Sequence, residues 1–340
     1  MANYFPAQAK VLPSFTEPDL IVTYAQASGA FHVLAEGKPR VKIGSDDLFV
    51  YVNALDIRNR VHVAQTAGTL LPSASLAATM LSTPTYLLRT RTEWDHHDTA
   101  AASQYNVGLP AALDLAARQG HFQQGRVLVL YGYNGANGEG LMNASGAMAT
   151  TLPKDSYGNG TVSSYDNGQL AIWILQQIAL LKQSMYQSGG LSNRIVLLGP
   201  QRIFFQLDTA QIVQLVSYQR PGAGSRTVGG TIREVVEESG DRIEYVYDDT
   251  LIGKGSGGSD AVILTIPEIE VPSIPGIDTN QMGNFQPSMR DVNVMYADMA
   301  APMKITTPIP DGGMTEIQEW RLTSGWNVRG AGVYILSMPH

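Results

Sequence analysis

LPAALDLAARQGHFQQGRVLVLYGYNGANGEGLMN, residues 109–143, decides how the rest of the chain is read. Pro110 suits the first turn of a helix, where its missing N–H costs nothing. Leu113, Ala117, Gly120, Gln124, Leu128 and Tyr131 recur every three or four residues, so one stripe is small or apolar. Gly132 offers the permissive backbone that a helix stop requires. Such a helix is roughly 30 Å long at about 1.5 Å per residue. Gly120 and Gly125 each weaken it by roughly 1 kcal/mol relative to Ala, so it is predicted to lie against another element. A glycine-dense turn follows at Gly132, Gly135, Gly138 and Gly140, and then Leu141-Met142-Asn143.

Upstream, residues 53–95 read as a long hairpin. Ile57–Val63 alternates apolar and polar residues, a soft tip follows (Thr66, Gly68, Pro72, Ser73, Ser75), and Thr85–Trp94 is a second strand-like run. An isolated hairpin is marginal in water, so one that stands away from a core needs a partner. Arg58, Arg60, Arg89 and Arg91 are placed on it and are expected to meet acidic neighbours. Before it, Phe31–Leu34, Arg40–Ile43 and Leu48–Asn53 are strand-like pieces. Met1 to Pro18 is punctuated by Pro6, Pro13 and Pro18, with Tyr4, Phe5 and Phe15 among them. Nothing in that stretch folds alone, so it orders on contact with another surface or not at all.

Downstream, Met148–Ser164 reads as a polar loop. Asn167–Ser188 is the clearest helix: Leu170, Ile174, Ile178, Leu181 and Met185 form one stripe, Asp166 favours its dipole and Gly189-Gly190 closes it. It is expected to be buried beside the helix that begins at Leu109. Arg194–Leu198 is a buried strand feeding a short helix around Arg202–Leu207, and a further helix is predicted over Thr209–Tyr218. Thr227–Glu238, Arg242–Tyr247 and Ala261–Ile266 read as strands. After an irregular proline-rich run from Pro267 to Pro287, short strands are expected at Val292–Tyr296, Met303–Thr307, Glu316–Leu322, Trp326–Val328 and Val333–Leu336.

Composition bounds the function. A chain of 340 residues buries about three quarters of its unfolded surface, enough for two modest cores. Charged residues make up only 16%, low for a freely soluble monomer, so part of the surface is expected to be shared with neighbours. The net charge of −7 speaks against a sequence-nonspecific DNA binder, which carries a basic face. With no Cys, disulfide, iron–sulfur and thiolate zinc sites are excluded. No secretion leader is read at the N-terminus and no run of 18 apolar residues exists, so the expectation is a soluble, cytoplasmically made chain without a membrane partner.

The order of elements, an extended hairpin, a long helix, Tyr131-Gly132, a short glycine loop and then Gly140-Leu141-Met142-Asn143, resembles the capsid proteins of tailed bacteriophages. The closing stretch Thr323–Tyr334 looks like the last strands of that fold. The resemblance implies an α+β chain with the Hong Kong 97 phage fold, which encapsulin nanocompartments share. It implies an N-terminal arm with lead-in strands over 1–52 and an extended hairpin over 53–95. A peripheral domain with the spine helix would cover 96–190 and 286–324, and an axial domain 191–285 and 325–340. It further implies a major capsid protein, a virion component assembled in the host bacterial cytoplasm. Hexamers and pentamers of it would close an icosahedral shell around double-stranded DNA without gripping it, with separate scaffolding, portal and cement proteins as further partners. Tyr4, Phe5, Phe15, Arg58, Arg60, Arg89 and Arg91 become candidate subunit contacts. Gly120, Gly125 and Gly132 become candidates for bending the spine between five-fold and six-fold environments. The namesake phage joins a hairpin lysine of one subunit to an asparagine of another, but residues 61–100 contain no Lys, so such cross-linking is not expected. An encapsulin-like compartment is the alternative, and a two-domain hydrolase is the more remote one.

No residue set reads as a catalytic, cofactor or metal site. In Asp95-His96-His97-Asp98 the adjacent histidines diverge on a helix or a strand, so they do not readily share a metal. Gly253–Gly258 spells G-x-G-x-x-G, but strand-like residues follow where a dinucleotide site needs a helix. Ser145 and Ser192 lack a nucleophile-elbow frame. Glu237-Glu238 and Asp248-Asp249 read as solvated turn charges.

Overall fold

A computed structural model describes residues 41–58, 75–103, 107–185, 193–211, 227–270, 290–299, 301–310, 312–328 and 330–340. Two sheets organise them. The first has six strands in the order Val41–Lys42, Ala297–Asp298, Met314–Thr323, Ser75–Trp94 and Phe49–Arg58, with Met303–Pro308 also paired to Met314–Thr323. The second has five, in the order Met148–Thr151, Val333–Met338, Asp260–Thr265, Arg194–Gly199 and Arg242–Tyr247. Sheets mixed with helices make the chain α+β.

The spine helix runs from Leu109 to Tyr131 with Pro110 in its first turn, and Gly132 (φ 69°) ends it by donating its N–H to the Leu128 carbonyl at 2.9 Å. Its buried stripe is Ala117, His121, Gly125 and Leu128. The stripe is thus shifted by one residue from the sequence expectation. Gly120 and Gln124 face outward, because the four-residue step from Ala117 continues through a histidine and a glycine that no hydrophobicity pattern flags.

The hairpin differs from its predicted register. Phe49–Arg58 pairs with the first half of the 20-residue strand Ser75–Trp94, from Phe49 opposite Pro84 to Arg58 opposite Ser75. The second half, Thr85–Trp94, pairs instead with Met314–Thr323, from Thr85 opposite Thr323 to Trp94 opposite Met314. The predicted pairing of Ile57–Val63 with Thr85–Trp94 is corrected, and the hairpin tip lies outside the described residues.

On one face of the five-stranded sheet lie three helices, Asn167–Ser184, Gln201–Thr209 and Val228–Glu238. Leu170, Ile174, Ile178, Leu181 and Met185 are all buried there, against Ile195, Leu197 and Leu264 from the sheet. Asp166 caps the first of these helices, accepting from the Gln169 N–H at 2.8 Å. This helix packs on the five-stranded sheet and not beside the spine helix, since its stripe belongs to that core. Its closing glycines lie outside the described residues, as does nearly all of the helix expected over Thr209–Tyr218. Val228–Glu238 is a helix and not the expected strand: Thr227 caps it and Val228, Ile232 and Val236 repeat every four residues on its buried face. Met148–Thr151, read as loop, adds a strand parallel to Val333–Met338. The loop after it is wound on Asp155, which accepts from the N–H groups of Tyr157, Asn159 and Asp166.

The opposite face of that sheet (Val196, Leu198, Ala261, Ile263, Val333) packs on Leu128, Val129 and Leu130 of the spine helix, together with Leu141, Tyr296 and Leu322. One core therefore joins the two sheets through the last turn of the spine helix.

Candidate assembly surface

The glycine loop after the spine helix is a packed junction. Asn143 Nδ2 donates to the Tyr131 carbonyl at 2.7 Å, and the Gly140 N–H donates to the Gly325 carbonyl at 3.1 Å. Gly132 and Gly140 both have positive φ, and a side chain at either would run into the backbone of the other arm of the loop. Glu139 Oε2 accepts from the Tyr86 hydroxyl at 2.7 Å and from the Asn134 N–H at 3.1 Å, tying the loop to the long strand. Burial, reinforced by the Glu139 carboxylate, pushes the Tyr86 phenol above its ordinary value. Gly132 thus serves close approach, whereas Gly120 is exposed with open space around it.

A polar network seats the spine helix on the six-stranded sheet. Asp114 accepts from Lys304, from Gln318 Nε2 at 2.7 Å and from Arg118 at 3.1 Å. The hydrogen bond from Lys304 is the main cause holding its carboxyl below the usual range. At the far side of the sheet, Arg321 donates to the Asp47 carbonyl at 3.2 Å and the Thr85 hydroxyl at 3.0 Å, fixing the turn from which the hairpin departs.

The hairpin stem itself has two unlike faces. Val50 and Thr83 are buried on one. On the other, Phe49, Tyr51 and Met80 are 53%, 58% and 65% exposed, and the Phe49 and Tyr51 rings lie 6.3 Å apart. Antiparallel register places Ser82 and Pro84 on that same face, so the face carries no charge among these residues. Sequence reasoning missed it. The signal available was Phe49-Val50-Tyr51-Val52, apolar at every position, which asks for cover on both sides of the strand.

Of the residues singled out from sequence, Tyr4, Phe5, Phe15 and Arg60 lie outside the described residues. Arg58 stands opposite Ser75 in the stem. Arg89 and Arg91 are in the central sheet and not in the hairpin stem, because Thr85–Trp94 pairs with Met314–Thr323. Arg89 pairs with Glu319 of its own chain at 2.7 Å, and Arg91 pairs with Glu93.

Asp95 and Asp98 cap one another at the start of the helix His96–Ser103: the Asp98 N–H donates to Asp95 at 2.8 Å and the Asp95 N–H to Asp98 at 3.3 Å. The His96 and His97 rings lie 3.9 Å apart, and among the described residues no group of three His, Asp or Glu could hold a metal. Gly253–Gly258 leads into the strand Asp260–Thr265, with the Gly253 N–H donating to Asp260 at 3.0 Å. Asp248 is buried rather than solvated, capping the turn through the Thr250 N–H at 3.0 Å. Asp249 caps the helix at Gln201 at 2.9 Å. No helix among the described residues is long and apolar enough to cross a membrane.

No protein-family model matches the chain, and no curated protein matches it in sequence. Solved structures do match its fold. The capsid of Myoviridae phage XM1 superposes with a TM-score of 0.66 over 96% of each chain, at 10% identity. A structure of Mycobacterium phage Adephagia matches with 0.57 over 98% of this chain and 96% of the other, at 11% identity. The capsid of a native GTA particle matches with 0.55 over 97% and 96%, at 9% identity. The fold is thus that of tailed-phage capsid structures, the α+β Hong Kong 97-like fold.

Proposed function

We propose that this chain is the major capsid protein of a tailed bacteriophage, a structural and non-enzymatic subunit of the virion. Copies arranged as hexamers and pentamers form an icosahedral shell that encloses double-stranded DNA. The observation that carries this reading is the superposition over 96% of both chains on a phage capsid. The uncharged aromatic face of the hairpin stem supports it, because a monomer gains nothing from exposing Phe49, Tyr51 and Met80 together. In this reading the stem Phe49–Arg58 with Ser75–Pro84, the hairpin tip beyond it and the chain before Val41 reach neighbouring copies, while Val41–Lys42 and Thr85–Trp94 stay in their own sheet, and many weak contacts sum by multivalency. Tyr4, Phe5, Phe15, Arg58 and Arg60 remain candidate contacts, while Arg89 and Arg91 act first within their own sheet. The peripheral part is built on the spine helix and the axial part on the five-stranded sheet. The net charge of −7 suits a wall that surrounds DNA without gripping it.

Negative-stain imaging and gel filtration of the expressed chain test this. Closed megadalton shells, or sheets and tubes of capsomers, are the expected result. A small oligomer that never assembles, with or without a co-expressed scaffolding protein, overturns it. Shells isolated from infected cells with an enzyme cargo in place of DNA would identify an encapsulin-like compartment instead.

A further inference from the structure

The network between the spine helix and the six-stranded sheet leaves two buried groups unsatisfied. His121 is 3% exposed, and its Nε2 has no hydrogen-bond partner. The other ring nitrogen donates to the backbone carbonyl of Gln318, so the neutral ring is a donor on one side and an orphan acceptor on the other. Gln318 is fully buried and its Oε1 is also unpartnered, since its amide nitrogen is committed to Asp114 at 2.7 Å and Glu316 at 2.6 Å.

The charged groups around the ring are already engaged with one another. The helix supplies Asp114 and Arg118, the strand Met314–Thr323 supplies Glu316, and the edge strand supplies Lys304. Asp114 holds Lys304 and Arg118, and Glu316 lies 3.9 Å from Lys304. The residues paired with Gln318 and Glu316 on the long strand are Thr90 and Thr92, which carry no charge. The two carboxylates of this network, Asp114 and Glu316, are therefore already committed to other partners. Burial pushes the imidazole below its ordinary value, and the Gln318 carbonyl only partly opposes this.

We propose that His121 is a proton-operated latch between the spine helix and the six-stranded sheet, closed when the ring is neutral and released when it is protonated. Protonation turns the orphan acceptor into a donor carrying a charge, in a buried site whose carboxylates, Asp114 and Glu316, already hold Lys304, Arg118 and Gln318. The helix must lift to hydrate it. Because the opened state binds the proton more readily, closure is complete above the ordinary imidazole value of about 6.5 and weakens as pH falls through it. This does not depend on shell formation, since the contact lies within one chain.

Amide hydrogen exchange on the full chain, at about pH 7.5 and about pH 5 with intrinsic rates corrected, reads the latch directly. Peptides over 117–128 and 314–320 are expected to lose protection by roughly tenfold at the lower pH, while 260–265 keeps its protection. His121→Gln and His121→Phe should abolish that difference. Asp298→Asn should keep it, and is the necessary control because burial raises the Asp298 carboxyl to about 6, in the same window. Unchanged protection in the parent chain overturns the latch. So does a loss that persists in both His121 variants, or one that vanishes in Asp298→Asn. Should neither His121 variant fold, the parent and Asp298→Asn arms still decide the question.

Discussion

The strands Asp260–Thr265 and Phe49–Arg58 are both rich in apolar residues, and they meet opposite fates. Every residue of the first is buried, with helices on one side and the spine helix end on the other. In the second, Val50 is buried while Phe49 and Tyr51 are open. The same kind of sequence thus yields a finished core in one place and an open apolar face in the other. Damage to the first should unfold the chain, whereas damage to the second should leave it folded and unable to assemble.

The largest effect is expected from Leu264→Ala in the finished core, where a fully buried side chain is removed. A loss of about 2–5 kcal/mol is expected in denaturant unfolding. Next comes Asp241→Ala. Asp241 is buried and accepts from Lys182 at 2.5 Å, from the Asn193 N–H at 3.0 Å and from Ser239 at 3.0 Å, so its loss should cost about 3 kcal/mol. Burial opposes ionisation of this carboxyl, yet Lys182 and the Asn193 N–H together hold it below its ordinary value. A depressed folded value means that the stabilisation is present above the ordinary carboxylate range and is lost as pH falls through the folded value. The stability difference between parent and Asp241→Ala should therefore shrink in acid, as unfolding curves at several pH values will report.

Gly120→Ala should move stability the other way, by up to roughly 1 kcal/mol, since the position is helical, exposed and uncrowded. If shells of that variant form normally, the idea that Gly120 lets the spine bend is wrong. The smallest change in stability, within about 0.5 kcal/mol, is expected from Phe49→Ser combined with Tyr51→Ser. That variant sharpens the comparison most, because particle yield should collapse while the unfolding curve stays in place. A parallel loss of stability would mean that the stem's open face is covered by its own chain.

Much of this was legible from residues alone. Pro110 and Gly132 mark the spine helix, and Asp166 with the Leu170–Met185 stripe marks the second long helix. The strands expected at Arg194–Leu198 and Val333–Leu336 announce themselves by the apolar runs Ile195–Leu198 and Val333–Leu336. Val228–Glu238 was not legible as a helix, because Gly229-Gly230 and five β-branched residues outweigh the four-residue repeat that tertiary packing uses. The hairpin register failed for a different reason. Thr85–Trp94 takes its partner from residues 314–323, over 200 positions away, and no local pattern encodes that choice. The candidate surface suffered likewise: Arg89 looked like a contact for a neighbour, yet its carboxylate is Glu319 of the same chain.

The strand Ser75–Trp94 spans 20 residues without interruption, roughly 65 Å at about 3.3 Å per residue. Half of it belongs to the stem and half to the central sheet, with no joint between them. It is therefore a beam with its fulcrum near Thr85, where Arg321 and Asp47 grip it. Met314–Thr323 lies along its inner half, and Gln318 of that strand donates to Asp114 of the spine helix at 2.7 Å, so stem, sheet and helix share one hydrogen-bonded frame.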